Sequence, residues 1–232
     1  MLSQQLLLQI FWLFVLAAYA FFVIFLTKRL YYYMLEKNFK KNVALYYNRK
    51  IIHIFAGGVV VLTVPFLFNN PWFPLFSGLI LAIFMYILHR TGRIFYWFQT
   101  KDNLNDVSFC IMWGVAIFIL WYIFNDPWIA IIPPAFIAFG DGITGIIRNM
   151  AFKERRKHII GNIYMMGVCI PIGYYFAHAG NPSIPLWGVI AAIVASLFER
   201  YEFGMIDDNV LITGSATIIL YIGGIAGPIL LI

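Results

Sequence analysis

The chain alternates between long apolar stretches and short polar connections. Each stretch is about long enough to cross a lipid bilayer, and a backbone exposed to lipid must satisfy its own hydrogen bonds, which favours α-helices. The stretches cover residues 6–27, 51–68, 71–88, 107–124, 127–147, 159–179, 184–198 and 210–231. This pattern predicts an all-α polytopic membrane protein with about eight transmembrane helices. The fifth should be kinked or broken at Pro133-Pro134, because proline lacks a backbone donor.

Charge separates the connections into two groups. All 16 Lys and Arg residues fall in or beside every second connection, whereas connections such as 69–71 and 125–127 have none. Because basic residues concentrate in cytoplasmic loops, we expect the four charged connections to be cytoplasmic and both termini to be outside. Nine of the ten Asp and Glu residues lie on the same side, with Asp126 as the exception. Charge of both signs at one face predicts an active site that opens to the cytoplasm.

The composition, 62% hydrophobic and 11% charged, leaves no room for a soluble domain and predicts one transmembrane domain over residues 1–232. The opening stretch lacks the basic start and cleavage site of a signal peptide and is interpreted as a retained span. Topology and anionic lipid explain the net charge of +6, so no nucleic-acid partner is expected. Cys110 and Cys169 fall inside spans, which indicates neither disulfide nor zinc. The membrane would be the plasma membrane of a prokaryote or an ER-type membrane of a eukaryote.

Gly140-Asp141-Gly142 lies at the cytoplasmic end of the fifth span. A carboxylate near hydrocarbon costs on the order of 3 kcal/mol and is usually paired or functional. Flanking glycines let a phosphate or a metal approach the backbone closely. The alternative is a helix-packing patch in which Gly142 and Gly145 admit a neighbouring helix.

The connection that follows holds four cations in five residues, among them Arg155, Arg156 and Lys157. Arginine forks and a lysine amine together can clamp a polyphosphate. A topology anchor that binds anionic lipid is the alternative, and for this loop taken by itself the anchor is the better explanation.

Glu199 and the run Asp207-Asp208-Asn209 flank the last charged connection. Several oxygen ligands on neighbouring loops suit Mg²⁺, which binds carboxylates together with substrate phosphates. The alternative is a helix N-cap, for which one of the three residues of the run is enough.

Arg49-Lys50 precedes His53 at the entrance of the second span. Arg49 and His53 are four residues apart and share one helix face. His53 would lie about one turn inside the bilayer, where it can handle a proton or face a phosphate. A structural histidine bonded to a neighbouring carbonyl is an equally good explanation.

Taken together, these motifs resemble the dolichol kinase and phytol kinase family. Arg49-Lys50-x-x-His53 resembles its R-K-x-x-H opening, Gly140-Asp141-Gly142 its G-D-[GA] motif, and Lys157-x-x-x-Gly161 its K-S-x-x-G-S motif. Glu199 with Asp207-Asp208-Asn209 resembles its E…D-D-N ending. The order holds over residues 49–215, so residues 49–232 would form the kinase-like core, whereas residues 1–48 carry no family motif. His158 and Asn162 stand where the family usually has serines.

The resemblance implies a kinase that transfers phosphate from CTP to a long-chain isoprenoid alcohol and requires Mg²⁺. The nucleotide-binding residues would be Arg49, Lys50, Gly140, Gly142, Arg155, Arg156, Lys157 and Gly161. The metal ligands would be Asp141, Glu199, Asp207, Asp208 and Asn209. Asp141 is the first candidate for the catalytic base and His53 the second.

Two other functions compete with this one. A CDP-lipid synthase would use the same charged face but would leave CMP on a lipid phosphate. A transporter ranks third, because polar residues crowd at one face instead of lying at mid-span. The partners expected are CTP, a membrane-embedded prenyl alcohol and the bilayer. Gly223-Gly224-x-x-Gly227 would pack either a second copy of the chain, giving a homodimer, or a neighbouring helix.

Overall fold

The structure is a computed structural model that describes residues 4–152, 157–203 and 206–229. Its helices are α1 (Gln4–Glu36), α2 (Lys41–Ile52), α3 (Val59–Leu67), α4 (Trp72–Thr91), α5 (Asn105–Phe124), α6 (Pro127–Ala130), α7 (Ile132–Ala135), α8 (Asp141–Phe152), α9 (Ile159–Ala179), α10 (Pro185–Phe198) and α11 (Asp208–Ala226). Two π-helical turns, His53–Gly58 and Phe136–Gly140, join α2 to α3 and α7 to α8. Apart from one isolated bridge between Phe203 and Ile206, the described residues form no β-structure.

The prediction of an all-α polytopic membrane protein is confirmed. In the described part of the chain, 7 helical segments are long and apolar enough to cross a membrane. They coincide with seven of the predicted stretches, and the remaining stretch is α10, which has 14 residues.

Helix ends differ from the predicted ones at the charged face. Residues 28–48, which lie in the connection between the first two predicted spans, are mostly helical, because α1 continues to Glu36 and α2 begins at Lys41. Intrahelical hydrogen bonds satisfy a backbone in water as well as in lipid, so a helix need not end where its apolar stretch ends. Arg49 and Lys50 consequently lie inside a helix that continues into the apolar region.

The segment from Pro127 to Phe152 lies at the centre of the bundle. In this segment 83% of the most apolar window is buried, against 17–44% in the other six spans. The segment is broken as predicted: α6 ends at Ala130, and α7 carries Pro133 and Pro134. The central position explains why Asp141, at the start of α8, is surrounded by protein.

The charged connections meet at one end of the bundle. Asn48 donates to the carbonyl oxygens of Thr27 and Trp97 at 2.7 and 3.1 Å, linking α1, α2 and the connection after α4. Asp126 lies at the opposite end, where it accepts from the backbone N–H groups of Ile129 and Asn181 at 2.8 and 3.1 Å. Burial raises the pKa of Asp126 above its ordinary value. This separation gives the molecule one charged end and one nearly uncharged end.

Small residues bring helices into close contact. A Cβ on Gly188 would lie 2.0 Å from the carbonyl oxygen of Gly173, so the α9 and α10 backbones meet directly. Gly223 and Gly224 face Trp187 and Phe124 of the same chain. Of the two occupants expected for this glycine run, a neighbouring helix is therefore the one seen.

Candidate active site

Helices α2 and α8 run antiparallel and hold an ion pair between them. The Lys50 amine donates to both oxygens of Asp141, at 2.6 and 2.5 Å, and each side chain is only 1% exposed. About two helical turns from this ion pair, the Asn149 amide donates to the carbonyl oxygen of Val43 at 3.2 Å. These contacts fix the register of the two helices and place the Asp141 carboxylate inside the bundle.

Local backbone features make room for this pair. One π-helical turn begins at His53, three residues after Lys50, and the other ends at Gly140, directly before Asp141; such turns are frequent at functional sites. Gly145 provides space, because a Cβ there would lie 2.4 Å from Lys50 Cε. The lysine chain can therefore lie flat across α8 and reach Asp141.

Three carboxylates meet beside the ion pair. Asp141, Glu199 and Asp208 each offer one oxygen, and these oxygens lie within 4.8 Å of one another. All three residues are buried, although they come from α8, the end of α10 and the start of α11. Carboxylate oxygens are ligands that Mg²⁺ binds, usually together with substrate phosphates, so the residues fit a divalent cation.

Three cations surround the carboxylates. Arg148 donates to Glu199 Oε1 at 2.7 Å, and Lys157 donates to Glu199 Oε1 at 3.0 Å and to Asp208 Oδ2 at 2.7 Å. Burial disfavours the charged form of Lys157, but Asp208 and Glu199 outweigh it and raise the pKa of the amine. Burial also raises the pKa of Glu199, against the opposing effect of Lys157 and Arg148. With Lys50 included, three carboxylates face three cations in a space largely closed to water.

Arg148 belongs to this cluster although no sequence motif indicated it. The guanidinium is 2% exposed and also donates to the His158 carbonyl oxygen through Nε at 3.0 Å. Gly161 leaves space for it, since a Cβ there would lie 2.3 Å from Arg148 Nε. Spacing was the available signal: Arg148 follows Asp141 by two helical turns and therefore shares its face.

His158 and Asn162 make structural contacts. His158 Nδ1 accepts from the backbone N–H of Ile160 at 3.2 Å and caps α9. The Asn162 carbonyl oxygen accepts from Arg148 at 3.3 Å, and its amide donates to the Ser196 carbonyl oxygen. His158 thus caps α9, and both residues accept hydrogen bonds from Arg148.

Other expected site residues lie away from the carboxylates. Asp207 caps α11 by accepting from the backbone N–H of Val210 at 3.2 Å, and it also accepts from the Ser108 hydroxyl. Burial raises the pKa of Asp207. Asn209 donates to the Asn105 carbonyl oxygen at 2.9 Å. Of the run Asp207-Asp208-Asn209, the structure therefore places only Asp208 with the other carboxylates. Asp207 is the N-cap of α11.

The glycines expected to bind nucleotide contact neighbouring helices. Cβ atoms on Gly140 and Gly142 would lie 2.4 Å from Cys169 Sγ and 2.5 Å from Ile54 Cγ1. Helix packing, the alternative, accounts for both positions, and a contact with nucleotide stays a prediction. Arg155 and Arg156 lie outside the described residues.

An apolar cavity of about 740 Å³ extends from the charged end of the bundle toward the opposite end. It lies between α1, the α2–α3 segment, α4 and α5, with Phe68 and Trp72 at the far end. Its polar lining at the charged end consists of Arg49, His53 and Asp106. The volume lies within the range of small-molecule sites.

His53 connects the cavity to the carboxylates. Its imidazole lines the cavity and stacks on Phe109 with the ring centroids 4.2 Å apart. Its Nδ1 lies 3.3 Å from Asp141 Oδ2, outside hydrogen-bond geometry, and has no hydrogen-bond partner. The expectation that Arg49 and His53 share a face holds, since both line the cavity.

A second histidine–aspartate pair lies at the same end. His89 Nε2 is 3.0 Å from Asp106 Oδ1, and the Gln99 amide donates to Asp106. These residues come from α4, α5 and the connection between them. No spacing in the sequence indicated the pair, because its members are joined only by the tertiary packing of α4 against α5.

Comparison of the chain with protein-family models, curated proteins and solved structures finds no match.

Proposed function

We propose that this protein is a CTP-dependent kinase that phosphorylates a long-chain isoprenoid alcohol at the cytoplasmic face of a membrane. One observation carries the proposal. His53 lies in the wall of a large apolar cavity and 3.3 Å from Asp141, one of three clustered buried carboxylates. A lipid chain in the cavity would present its hydroxyl where a phosphate-binding site begins.

The charged cluster suits phosphoryl transfer, which depends mostly on positioning and charge neutralisation. Lys50, Arg148 and Lys157 carry positive charge next to the carboxylates and would attract nucleotide phosphates to them. Asp141, Glu199 and Asp208 would hold Mg²⁺, which supplies neutralisation of the phosphate charge when bound. Burial strengthens each of these interactions, because the local dielectric is low.

The reaction requires one proton acceptor. The alcohol oxygen forms a bond to the γ-phosphorus, the bond from that phosphorus to the β-phosphate oxygen breaks, and CDP leaves. We assign the hydroxyl proton to His53, because both Asp141 oxygens already accept from Lys50 whereas the imidazole lines the cavity. Asp141 then stabilises the imidazolium.

Purified protein incubated with a panel of prenyl alcohols and with CTP, ATP and Mg²⁺ tests the proposal. We expect prenyl phosphate and CDP. Label from the cytidine of CTP appearing on the lipid would instead identify a cytidylyltransferase, the function of a CDP-lipid synthase. If no phosphate were transferred to any alcohol from either nucleotide, the proposed kinase function would be wrong.

A further inference from the structure

A second, smaller pocket opens at the charged end of the bundle. Its volume is about 260 Å³, and it lies between α2, α8 and the connection after α4. Besides Val43 and Leu45, and unlike the apolar cavity, its lining carries several amide and hydroxyl groups, a guanidinium and an aromatic ring. They include Asn42, Tyr46, Arg49, Thr100, Asn103 and Asn149.

The α2–α8 pair fixes how far this pocket is from the proposed reaction site. Asn149 follows Asp141 by eight residues on α8, and Asn42 precedes Lys50 by eight residues on α2. At 1.5 Å per residue, eight residues correspond to about 12 Å along the helices. A ribose and its phosphates can span a gap of this order.

Arg49 lies between the two cavities and contributes to the lining of both. It is 7% exposed, and no described carboxylate lies within ion-pair distance of it. Its Nε has no hydrogen-bond partner, and the contact it does make is with the Tyr46 ring, 5.4 Å from the guanidinium carbon. A buried cation without an acid is costly, which indicates an anionic ligand at this position.

Asn149 is a second buried polar residue of this pocket that lacks a partner, here for its side-chain oxygen. The residue is 1% exposed, and its amide nitrogen donates to Val43, which identifies Oδ1 as the acceptor atom. That oxygen has no partner. Leaving a buried acceptor unpaired costs about 1–3 kcal/mol, so a ligand with an N–H donor would be favoured here.

We propose that this pocket binds the nucleoside of the phosphate donor and selects a base that carries an amino group. The Asn149 oxygen accepts from the base amino group, Tyr46 forms an apolar wall, and Arg49 binds the phosphate chain on its way to Lys50 and the carboxylates. The inference rests on the proposed kinase function and identifies the part of the molecule that recognises the base of the nucleotide.

Two nucleotide pairs isolate the amino group. CTP and UTP differ at position 4 of the pyrimidine, and ATP and ITP differ at position 6 of the purine. Binding to the purified protein is measured by equilibrium dialysis with each labelled nucleotide. We expect the amino-bearing member of a pair to bind at least about tenfold more tightly, and the pair with the tighter binder identifies the base as cytosine or adenine.

Asn149→Ala should abolish this preference and reduce the ratio of the two affinities to about one. Asn48→Ala is the matched control. Asn48 is also a buried asparagine, it lies in α2, and its Oδ1 has no hydrogen-bond partner, but it does not line the pocket. The control should keep the ratio. Because the readout is a ratio within one variant, a general loss of stability does not imitate the effect.

The outcomes separate the two proposals. If the wild-type protein binds none of the four nucleotides, the kinase proposal and this inference both fail. If it binds and uses nucleotides but does not distinguish the members of either pair, or if Asn149→Ala keeps the preference, only the assignment of this pocket fails.

Discussion

The buried ion pair between Lys50 and Asp141 can contribute both to stability and to catalysis. Both side chains are 1% exposed, so each charge depends on the other for compensation. Removing one partner of a buried pair typically costs about 3–5 kcal/mol, whereas replacing both with uncharged groups can be nearly neutral. Stability and chemistry can therefore be separated at this pair.

We expect Asp141→Asn to lower the melting temperature and abolish phosphoryl transfer, because it leaves the Lys50 amine buried without an acid. The double variant Lys50→Met with Asp141→Asn should recover most of the stability but none of the activity. Thermal unfolding and turnover are measured on the same preparations. A double variant that regained activity within about tenfold of wild type, a difference of about 1.4 kcal/mol in the barrier, would show that neither group takes part in the reaction.

The neighbouring residues Asp207 and Asp208 form a natural control pair. Asp207→Ser keeps a good N-cap for α11, so activity and stability should both be retained. Asp208→Ser removes a carboxylate that Lys157 and the cluster contact and supplies a poor Mg²⁺ ligand, so activity should fall at least 100-fold, about 2.7 kcal/mol. Turnover is measured over a range of Mg²⁺ concentrations, and excess metal should relieve the second defect in part. Equal activity of the two variants at limiting Mg²⁺ would contradict the assignment.

The residues of the carboxylate cluster were largely predictable, because charges near hydrocarbon are conspicuous in a sequence of this composition. Asp141, Glu199, Asp208, Lys50 and Lys157 were all identified, and the structure brings them together. Arg148 was overlooked, because a basic residue in a charged connection is already explained by topology. Only the packing of α8 against α9 shows that its guanidinium points inward.

At the scale of elements, the apolar stretches predicted the helices well but not their ends or their irregularities. Helix α2 begins ten residues before the predicted span, at Lys41 instead of residue 51. The two π-helical turns were not visible either, since they depend on how the α2–α3 segment and the α7–α8 segment pack together. These features matter because they determine the positions of Lys50 and Asp141 along the axis of the bundle.

Gly145 makes the packing of α2 on α8 testable. A methyl group there would lie 2.4 Å from Lys50 Cε, and the lysine has little freedom to move because Asp141 holds its amine. We expect Gly145→Ala to lower turnover at least tenfold while helix content is preserved. Gly167→Ala in α9 is the control: a Cβ there meets nothing within 4 Å, so the variant should be as active as wild type and up to about 1 kcal/mol more stable. Unchanged turnover in Gly145→Ala would show that the lysine position is not needed for catalysis.

At the scale of the whole molecule, the two classes of substrate would approach from different surroundings. The second, smaller pocket and the carboxylates lie at the charged end, and the apolar cavity extends from that end along α1, α4 and α5. None of the motifs that the sequence offered lies within residues 1–48, yet α1 supplies one wall of the cavity. Sequence patterns could not have shown this, because an apolar face against lipid and an apolar face around a cavity have the same composition.

Filling the cavity should therefore affect one substrate and spare the other. Ala20 of α1 and Ala56 of the first π-helical turn both line it, and phenylalanine at either position would occupy part of the empty volume. We expect Ala20→Phe and Ala56→Phe to raise the KM for a long-chain prenyl alcohol at least tenfold, to raise that for a short-chain alcohol less, and to leave the KM for CTP unchanged. Ala179→Phe, on the exposed end of α9 and away from the cavity, makes the same chemical change as a control. Since the new side chains enter space that is already open, they should cost less than the 1–3 kcal/mol typical of overpacking a filled core. If both cavity variants treated long and short alcohols as the wild-type protein does, the lipid chain would have to bind elsewhere, and His53 would lose its proposed access to the hydroxyl.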